Sequence, residues 1–154
     1  MDVDEDDWRS EHHWEVVPVA GLPFPHHLFK CPLEEEHKRM LVEAGAAPGR
    51  DSTAEERRQA FELFAAGFSD RIATCPYHQP DWCLAAELAS AAVDATGQGW
   101  FDVVETAGLD SEAEWAVWEF GTEPIWLDGD RLGNGQHRVC AMKVAGALRC
   151  PIER

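Results

Sequence analysis

Positive charge is scarce. Only 13 Lys and Arg stand against 29 Asp and Glu in 154 residues, a formal net charge of −16. A nucleic-acid backbone is therefore not expected as the main partner, because binding along phosphates needs clustered Lys and Arg. An anionic membrane surface is disfavoured for the same reason. Long apolar runs are missing too, and nothing approaches the ~20 residues of a membrane span. The opening residues, Met1-Asp2-Val3-Asp4-Glu5-Asp6-Asp7, lack the basic start of a signal peptide. The cysteines Cys31, Cys75, Cys83, Cys140 and Cys150 are odd in number and include no CxxC pair, so a secreted disulfide framework is not expected. Together these absences point to a cytoplasmic, acidic globule.

Apolar material is plentiful. At 45% hydrophobic residues, with seven Trp and seven Phe, the chain has enough to build a core. Its length suits one domain that buries roughly 70% of its unfolded surface. The charge is uneven: residues 130–154 hold five basic and two acidic side chains, a net +3, leaving −19 on the first 129. A locally basic tail on an acidic body suggests that the tail meets a small anion while the body discourages polyanions.

Residues 1–30 read as an acidic leader and an irregular segment, with Val16 to Val19 as a short strand. Residues 31–154 read as a single domain. The paired histidines His12-His13 and His26-His27 read as surface residues. A helix is expected over 33–44, supported by Glu34–Lys38 and Glu35–Arg39 at i,i+4 and ended by Gly45. Thr53 and Glu56 form a capping box for a second helix, whose inward stripe would be Ala60, Phe61, Phe64, Ala65 and Phe68. A third spans Asp81 to Ala95, with Leu84, Leu88, Ala91, Ala92 and Ala95 inward and Gly97 as its C-cap. Ser111 and Glu114 resemble a capping box for a fourth helix, carrying Trp115 and Trp118 toward the core. Cys75, His78 and Cys83 would need a borrowed fourth ligand to hold zinc. Their spacing is looser than in tight structural sites, so buried thiols acting as small hydrophobes are preferred and no metal is assigned.

The ending changes character. Pro124 to Leu127 reads as a strand, Asp128-Gly129 as a hairpin turn, and Asp130 to Leu132 as the returning strand. Gly133-Asn134-Gly135 reads as a loop, Gln136 to Ala145 as a helix capped by Gly146, and Arg149 to Glu153 as a closing strand. Pro151 would place that strand at a sheet edge or make it a strand start. The junction at Gly133, Asn134, Gly135, Gln136, His137 and Arg138 has the chemistry of an anion site. Glycines admit close backbone approach, first-turn amides lack partners, and the helix dipole adds positive potential. Arg138 offers a planar fork for phosphate oxygens, and His137 a titratable donor. Lys143 lies about one and a half turns on and should not share the site. Ordinary turn chemistry, with a solvated Arg in the first turn, is the competing explanation.

The run Asn134-Gly135-Gln136-His137-Arg138-Val139-Cys140-Ala141 to Gly146, followed by a short strand, resembles the ParB/sulfiredoxin superfamily over about residues 124–153. A fainter likeness lies at Tyr77-His78-Gln79-Pro80-Asp81, where ParB-type domains carry a Q-P-R box and here Asp81 replaces the Arg. The resemblance implies a small α/β (α+β) fold, with a mixed sheet and a helix-rich N-terminal half. It also implies a phosphate-binding junction at which His137 and Arg138 contact phosphate oxygens. Gln136 stands where sulfiredoxins place their catalytic Cys, so sulfinic acid reduction is not expected. Partition ParBs continue into a helix-turn-helix domain, which does not follow here, so chromosome partitioning is not expected either. The expectation is a nucleotide- or phosphate-binding protein for ATP or CTP, whose enzymatic form would transfer or hydrolyse phosphate. Mg²⁺ would supply charge that one Arg and one His cannot. Asp128 and Asp130 are the candidate acids, with His137, Arg138 and Asp128 as candidate catalytic residues. The alternative is a non-catalytic acidic interaction protein, a DNA mimic or an inhibitor of a basic protein. Direct DNA binding through the tail is disfavoured.

Overall fold

The computed structural model describes residues 13–25, 31–43, 45, 52–67, 69–72, 74–95 and 99–154. Strand β1 (Trp14–Pro18) leads through a 3₁₀ turn (Val19–Gly21) to helices α1 (Glu34–Glu43), α2 (Ala54–Gly67) and α3 (Ser69–Ile72). A second 3₁₀ turn (Pro76–His78) precedes α4 (Trp82–Asp94), α5 (Trp100–Ala107) and α6 (Ser111–Thr122). Then come β2 (Trp126–Asp128), β3 (Arg131–Asn134), α7 (Gln136–Ala145) and β4 (Arg149–Glu153). The strands form one sheet in the order β1-β4-β2-β3, antiparallel at both outer pairs and parallel between β4 and β2. The fold is α/β with a small mixed sheet. Among the described residues, no helix is long and apolar enough to cross a membrane.

Several elements follow local chemistry directly. The Thr53 amide donates to Glu56 Oε2 at 2.9 Å and the Glu56 amide donates to Thr53 Oγ1 at 3.2 Å, the reciprocal box that starts α2. Ala60, Phe61 and Phe64 are buried on the expected face, while Phe68 lies outside the described residues. Lys38 pairs with Glu34 at 3.4 Å on α1, and Gly45 follows that helix at φ +84°. Helix α7 matches its expected bounds, ended by Gly146 at φ +77°.

Other elements depart from expectation, each for a tertiary reason. The buried side of α4 is Trp82, Ala85, Ala86, Ala89, Ser90 and Ala92, and Leu84 is 41% exposed. An alanine face lets the helix backbone lie close on its neighbours, which turns Leu84 outward, while Ala92 is buried as expected and Leu88 packs partly buried against the core. Gly97, the expected C-cap, lies outside the described residues. Helix α6 is capped by Asp110, whose carboxylate accepts from the Ala113 amide at 2.8 Å, and not by Ser111. Trp115 on α6 is half exposed, whereas Trp118 packs on Trp100 and Phe101. Helix α5 has no counterpart in the sequence reading; it is held by Trp100, buried between Trp14 and Trp118.

The hairpin loop is Gly129-Asp130, one residue later than expected, with Asp128 opposite Arg131 and Gly129 at φ +61°. Gly133 and Asn134 belong to β3 and not to a loop. Strand β1 overlaps the short strand expected at Val16 to Val19 but runs from Trp14 to Pro18, and it pairs with β4 along its whole length. Strand β4 is therefore interior, with Pro151 at its centre. The Arg154 amide donates toward β1, to His13 O, and the Glu153 amide donates toward β2, to Ile125 O. Alternation puts the Pro151 nitrogen on the β2 side, where the recorded β2–β4 pairing is Trp126 with Glu153. The missing donor breaks no ladder bond there.

Two buried clusters result. The larger joins α4, α5, α6 and the sheet through Trp82, Trp100, Phe120, Ile125, Met142 and Ile152. The smaller lies under α1 and α2 and holds Leu33, Phe61, Phe64 and Ile72 with Cys31, Cys75 and Cys140. Helix α7 is their common wall: Val139, Ala141 and Met142 face one cluster and Cys140 the other.

Candidate functional site

The expected anion site is the turn from β3 into α7. Gly135 makes that turn at φ +90°, and a Cβ there would stand 2.6 Å from Ile125 Cγ1, so only glycine fits. A Cβ on Gly133 would overlap the Trp126 ring lying across it. Asn134 donates through Nδ2 to Pro124 O at 2.8 Å, tying the loop to the strand entry. These three residues are accounted for by packing within the protein.

Arg138 also points inward. Its side chain is 8% exposed, Nη1 donates to Glu119 O at 3.0 Å, and Nη2 donates to Glu123 O. The guanidinium lies 5.6 Å from the Phe120 ring centre. It thus closes the C-terminal end of α6, where Glu119 O also accepts from the Glu123 amide and the helix dipole is negative. Burial pulls its pKa down to about 10, which leaves it charged at neutral pH.

His137 faces another way. Its ring stacks on Tyr77 with centroids 3.8 Å apart and planes 11° from parallel. Tyr77 sits in the 3₁₀ turn Pro76–His78, whose carbonyl end is fixed by Trp82 Nε1 donating to Tyr77 O at 2.6 Å. Beside it, His78 Nε2 is 3.5 Å from Cys140 Sγ. Burial first, and then the nearby His137, hold the His78 pKa below its ordinary value. The segment Tyr77 to Asp81 is thereby brought against the α7 N-terminus, although the two lie some sixty residues apart in sequence. Asp81 itself caps α4, accepting from the Leu84 amide at 3.0 Å.

The α7 first turn has a glycine at its cap position and so no side chain there to accept from its amides. Half-buried Gln136 and His137 flank it. This geometry suits a small anion held by backbone amides and one imidazole.

The acids do not join it. Asp128 is exposed at the far end of β2, two residues past Trp126, which pairs with Asn134; that is about 7 Å along the strand. Asp130 is engaged elsewhere: its carbonyl and Oδ2 accept from Arg57 Nη2 at 3.2 and 3.1 Å. Sequence reasoning missed Arg57, a charged residue of α2 that is 1% exposed and also donates to Ser52 O. No local pattern separates it from its exposed neighbour Arg58. Lys143, as expected, lies apart, donating to Val19 O at 3.0 Å over the Phe24 ring.

Cys83 donates to Ala145 O at 3.2 Å and does not accompany Cys75 and His78. Four of the five thiols are buried, as expected of small hydrophobes. Neither Asp128 nor Asp130, the acids expected to accompany a metal-bound nucleotide, stands at the loop.

No family model, no curated protein and no solved structure matches this chain.

Proposed function

We propose that the protein binds a phosphate-bearing small molecule, a nucleotide such as ATP or CTP, at the N-terminus of α7. The observation that carries the reading is the α7 first turn, capped by glycine alone, beside the His137 ring stacked on Tyr77. Amides of residues 136–138 would receive the phosphate oxygens, with His137 donating from the side. Tyr77 offers an aromatic edge against which a base could lie. Arg138 acts from behind, by fixing the end of α6 against the start of α7. The likeness of Asn134 to Gly146 to ParB/sulfiredoxin domains supports the same location. Phosphoryl transfer or hydrolysis would be the enzymatic form of this reading, with His137 as the group nearest the phosphate.

The test is a thermal-shift panel with ATP, CTP, GTP and their diphosphates, with and without Mg²⁺, on the wild type and on His137→Ala. Ligand at 100 times its dissociation constant stabilises the native state by ~2.7 kcal/mol. For a chain of this size that is a shift of about 5–10 °C. It should shrink in His137→Ala. A flat panel with every nucleotide would overturn the reading.

A second reading has its own support. Packing alone explains Gly133, Asn134, Gly135 and Arg138, so the turn can be a scaffold, and the −19 over residues 1–129 would then dock on a basic protein. Capture of such a partner should weaken steeply as salt rises, with no nucleotide effect.

A further inference from the structure

The smaller cluster gathers more than apolar groups. Cys31 Sγ and Cys75 Sγ stand 3.7 Å apart, joining positions 44 residues apart in the chain. Cys140 Sγ and His78 Nε2 stand 3.5 Å apart across 62 residues. Cys75 and His78 belong to one tight turn, in which the His78 amide donates to Cys75 O at 3.0 Å. Cys140 packs in the same buried cluster as Cys31 and Cys75.

These two spacings match two edges of a known polyhedron. Zinc bound tetrahedrally at about 2.3 Å to sulfur and about 2.0–2.1 Å to imidazole nitrogen sets two sulfurs about 3.8 Å apart, and a sulfur and a nitrogen about 3.5–3.6 Å apart. We propose that Cys31, Cys75, Cys140 and His78 form a structural Zn²⁺ site of Cys₃His type, with Cys75-x₂-His78 as its chelating turn.

Among the described residues, three or more such side chains do not already close around one ion-sized point. Two close pairs stand there instead, Cys31 with Cys75 and Cys140 with His78, one at each end of the Cys75–His78 turn. Binding would draw the Cys140–His78 pair onto the Cys31–Cys75 pair. Burial pushes the Cys31 thiol up to about 11, and Cys140 higher, with neighbouring thiols adding to both. Thiolates of Cys31 and Cys140 are therefore disfavoured there without a dication, and metal binding to thiols releases their protons to solvent.

The site would have a structural purpose. Helices α1 and α2 meet the rest of the molecule through this small cluster and through Arg57 to Asp130. An ion would fasten Cys31, the Cys75–His78 turn and α7 at one point. It would also fix both ends of the turn that carries Tyr77. The inference stands on these side chains alone and does not depend on nucleotide binding.

The experiment is metal analysis of the full chain purified under reducing conditions, followed by anaerobic Co²⁺ titration. The expected result is about one zinc per chain, and a cobalt form with intense thiolate-to-metal absorption of a tetrahedral site. That absorption should be lost in Cys31→Ser, Cys75→Ser and Cys140→Ser, weakened in His78→Ala, and kept in Cys83→Ser and Cys150→Ser. Should a serine variant fail to fold, the wild-type stoichiometry and cobalt spectrum still decide. Less than a tenth of an equivalent after reconstitution with excess zinc would overturn the proposal. So would cobalt absorption that survives Cys140→Ser, or five titratable thiols falling to three through a Cys31–Cys75 disulfide in a protein that takes up no metal.

Discussion

Replacing Arg138 by alanine separates a ligand-binding arginine from a structural one. In the wild type its two guanidinium nitrogens donate to Glu119 O and Glu123 O, inside a site that leaves the side chain 8% exposed. Hydrogen bonds from a charged donor contribute ~1.5–3 kcal/mol each, so the pair amounts to about 3–6 kcal/mol gross. Removing the buried charge returns part of its desolvation cost, the same burial that lowers its pKa to about 10. Truncation also removes the guanidinium from its place 5.6 Å from the Phe120 ring centre. The net expectation is a loss of about 3 kcal/mol. At about 2–4 °C per kcal/mol, the melting temperature should fall by about 6–12 °C. Urea unfolding followed by tryptophan fluorescence would give the free energy directly. Arg138→Lys should recover part of it, since one ammonium can reach one carbonyl but cannot span both. If Arg138→Ala melted within a degree of wild type yet lost nucleotide binding, the guanidinium would be a phosphate ligand and the inward assignment would be refuted.

Gly135→Ala should cost about 2–4 kcal/mol, because φ +90° and the 2.6 Å approach to Ile125 Cγ1 both oppose a side chain. Gly133→Ala should cost less, since the half-exposed Trp126 ring can swing outward; equal losses in chemical denaturation would refute that ordering. Arg57→Ala should destabilise by about 2–4 kcal/mol, as it empties a fully buried position and takes a donor from Asp130 O, while Ser52 O keeps Arg131 Nη2 at 3.2 Å; Asp130→Ala should cost less, because Arg57 keeps both carbonyls. Glu55 is held down to about 2 by Arg58, so the native state binds fewer protons than the unfolded chain between about pH 4.5 and 2. The stability gap between wild type and Arg58→Ala should therefore be full at pH 7 and close as pH falls through that window. A gap unchanged at pH 2.5 in urea titrations would contradict the pairing.

Legibility in the sequence followed the range of the interaction. The Thr53–Glu56 box, the hairpin around Gly129, and helix α7 from Gln136 to its Gly146 cap rest on neighbours within a few residues. Each was readable for that reason. The face of α4 was readable only in part: Ala92 and Leu88 do meet the core, but Leu84 does not, because close approach to a sheet favours the alanines. Helix α5 carries no cap signal beyond Gly99 and is set by Trp100 meeting Trp14 and Trp118. At the candidate site, the turn and its glycines were visible, but their cause was not. Trp126 and Ile125, the side chains that demand them, precede the glycines in another strand or at its entry. Arg138 and His137 are adjacent letters, and only the packing of α6 and of the Tyr77 turn sends one inward and the other outward. The meeting of Cys31, Cys75 and Cys140 is likewise a product of tertiary structure.

Amide chemical-shift mapping of ¹⁵N-labelled protein during titration with ATP and CTP reads the phosphate position itself. The proposed site at the start of α7 predicts saturable shifts concentrated at the amides of Gln136, His137 and Arg138, with a smaller response at Tyr77 and His78. Shifts confined to other surfaces, or a spectrum unchanged at millimolar nucleotide, would contradict it.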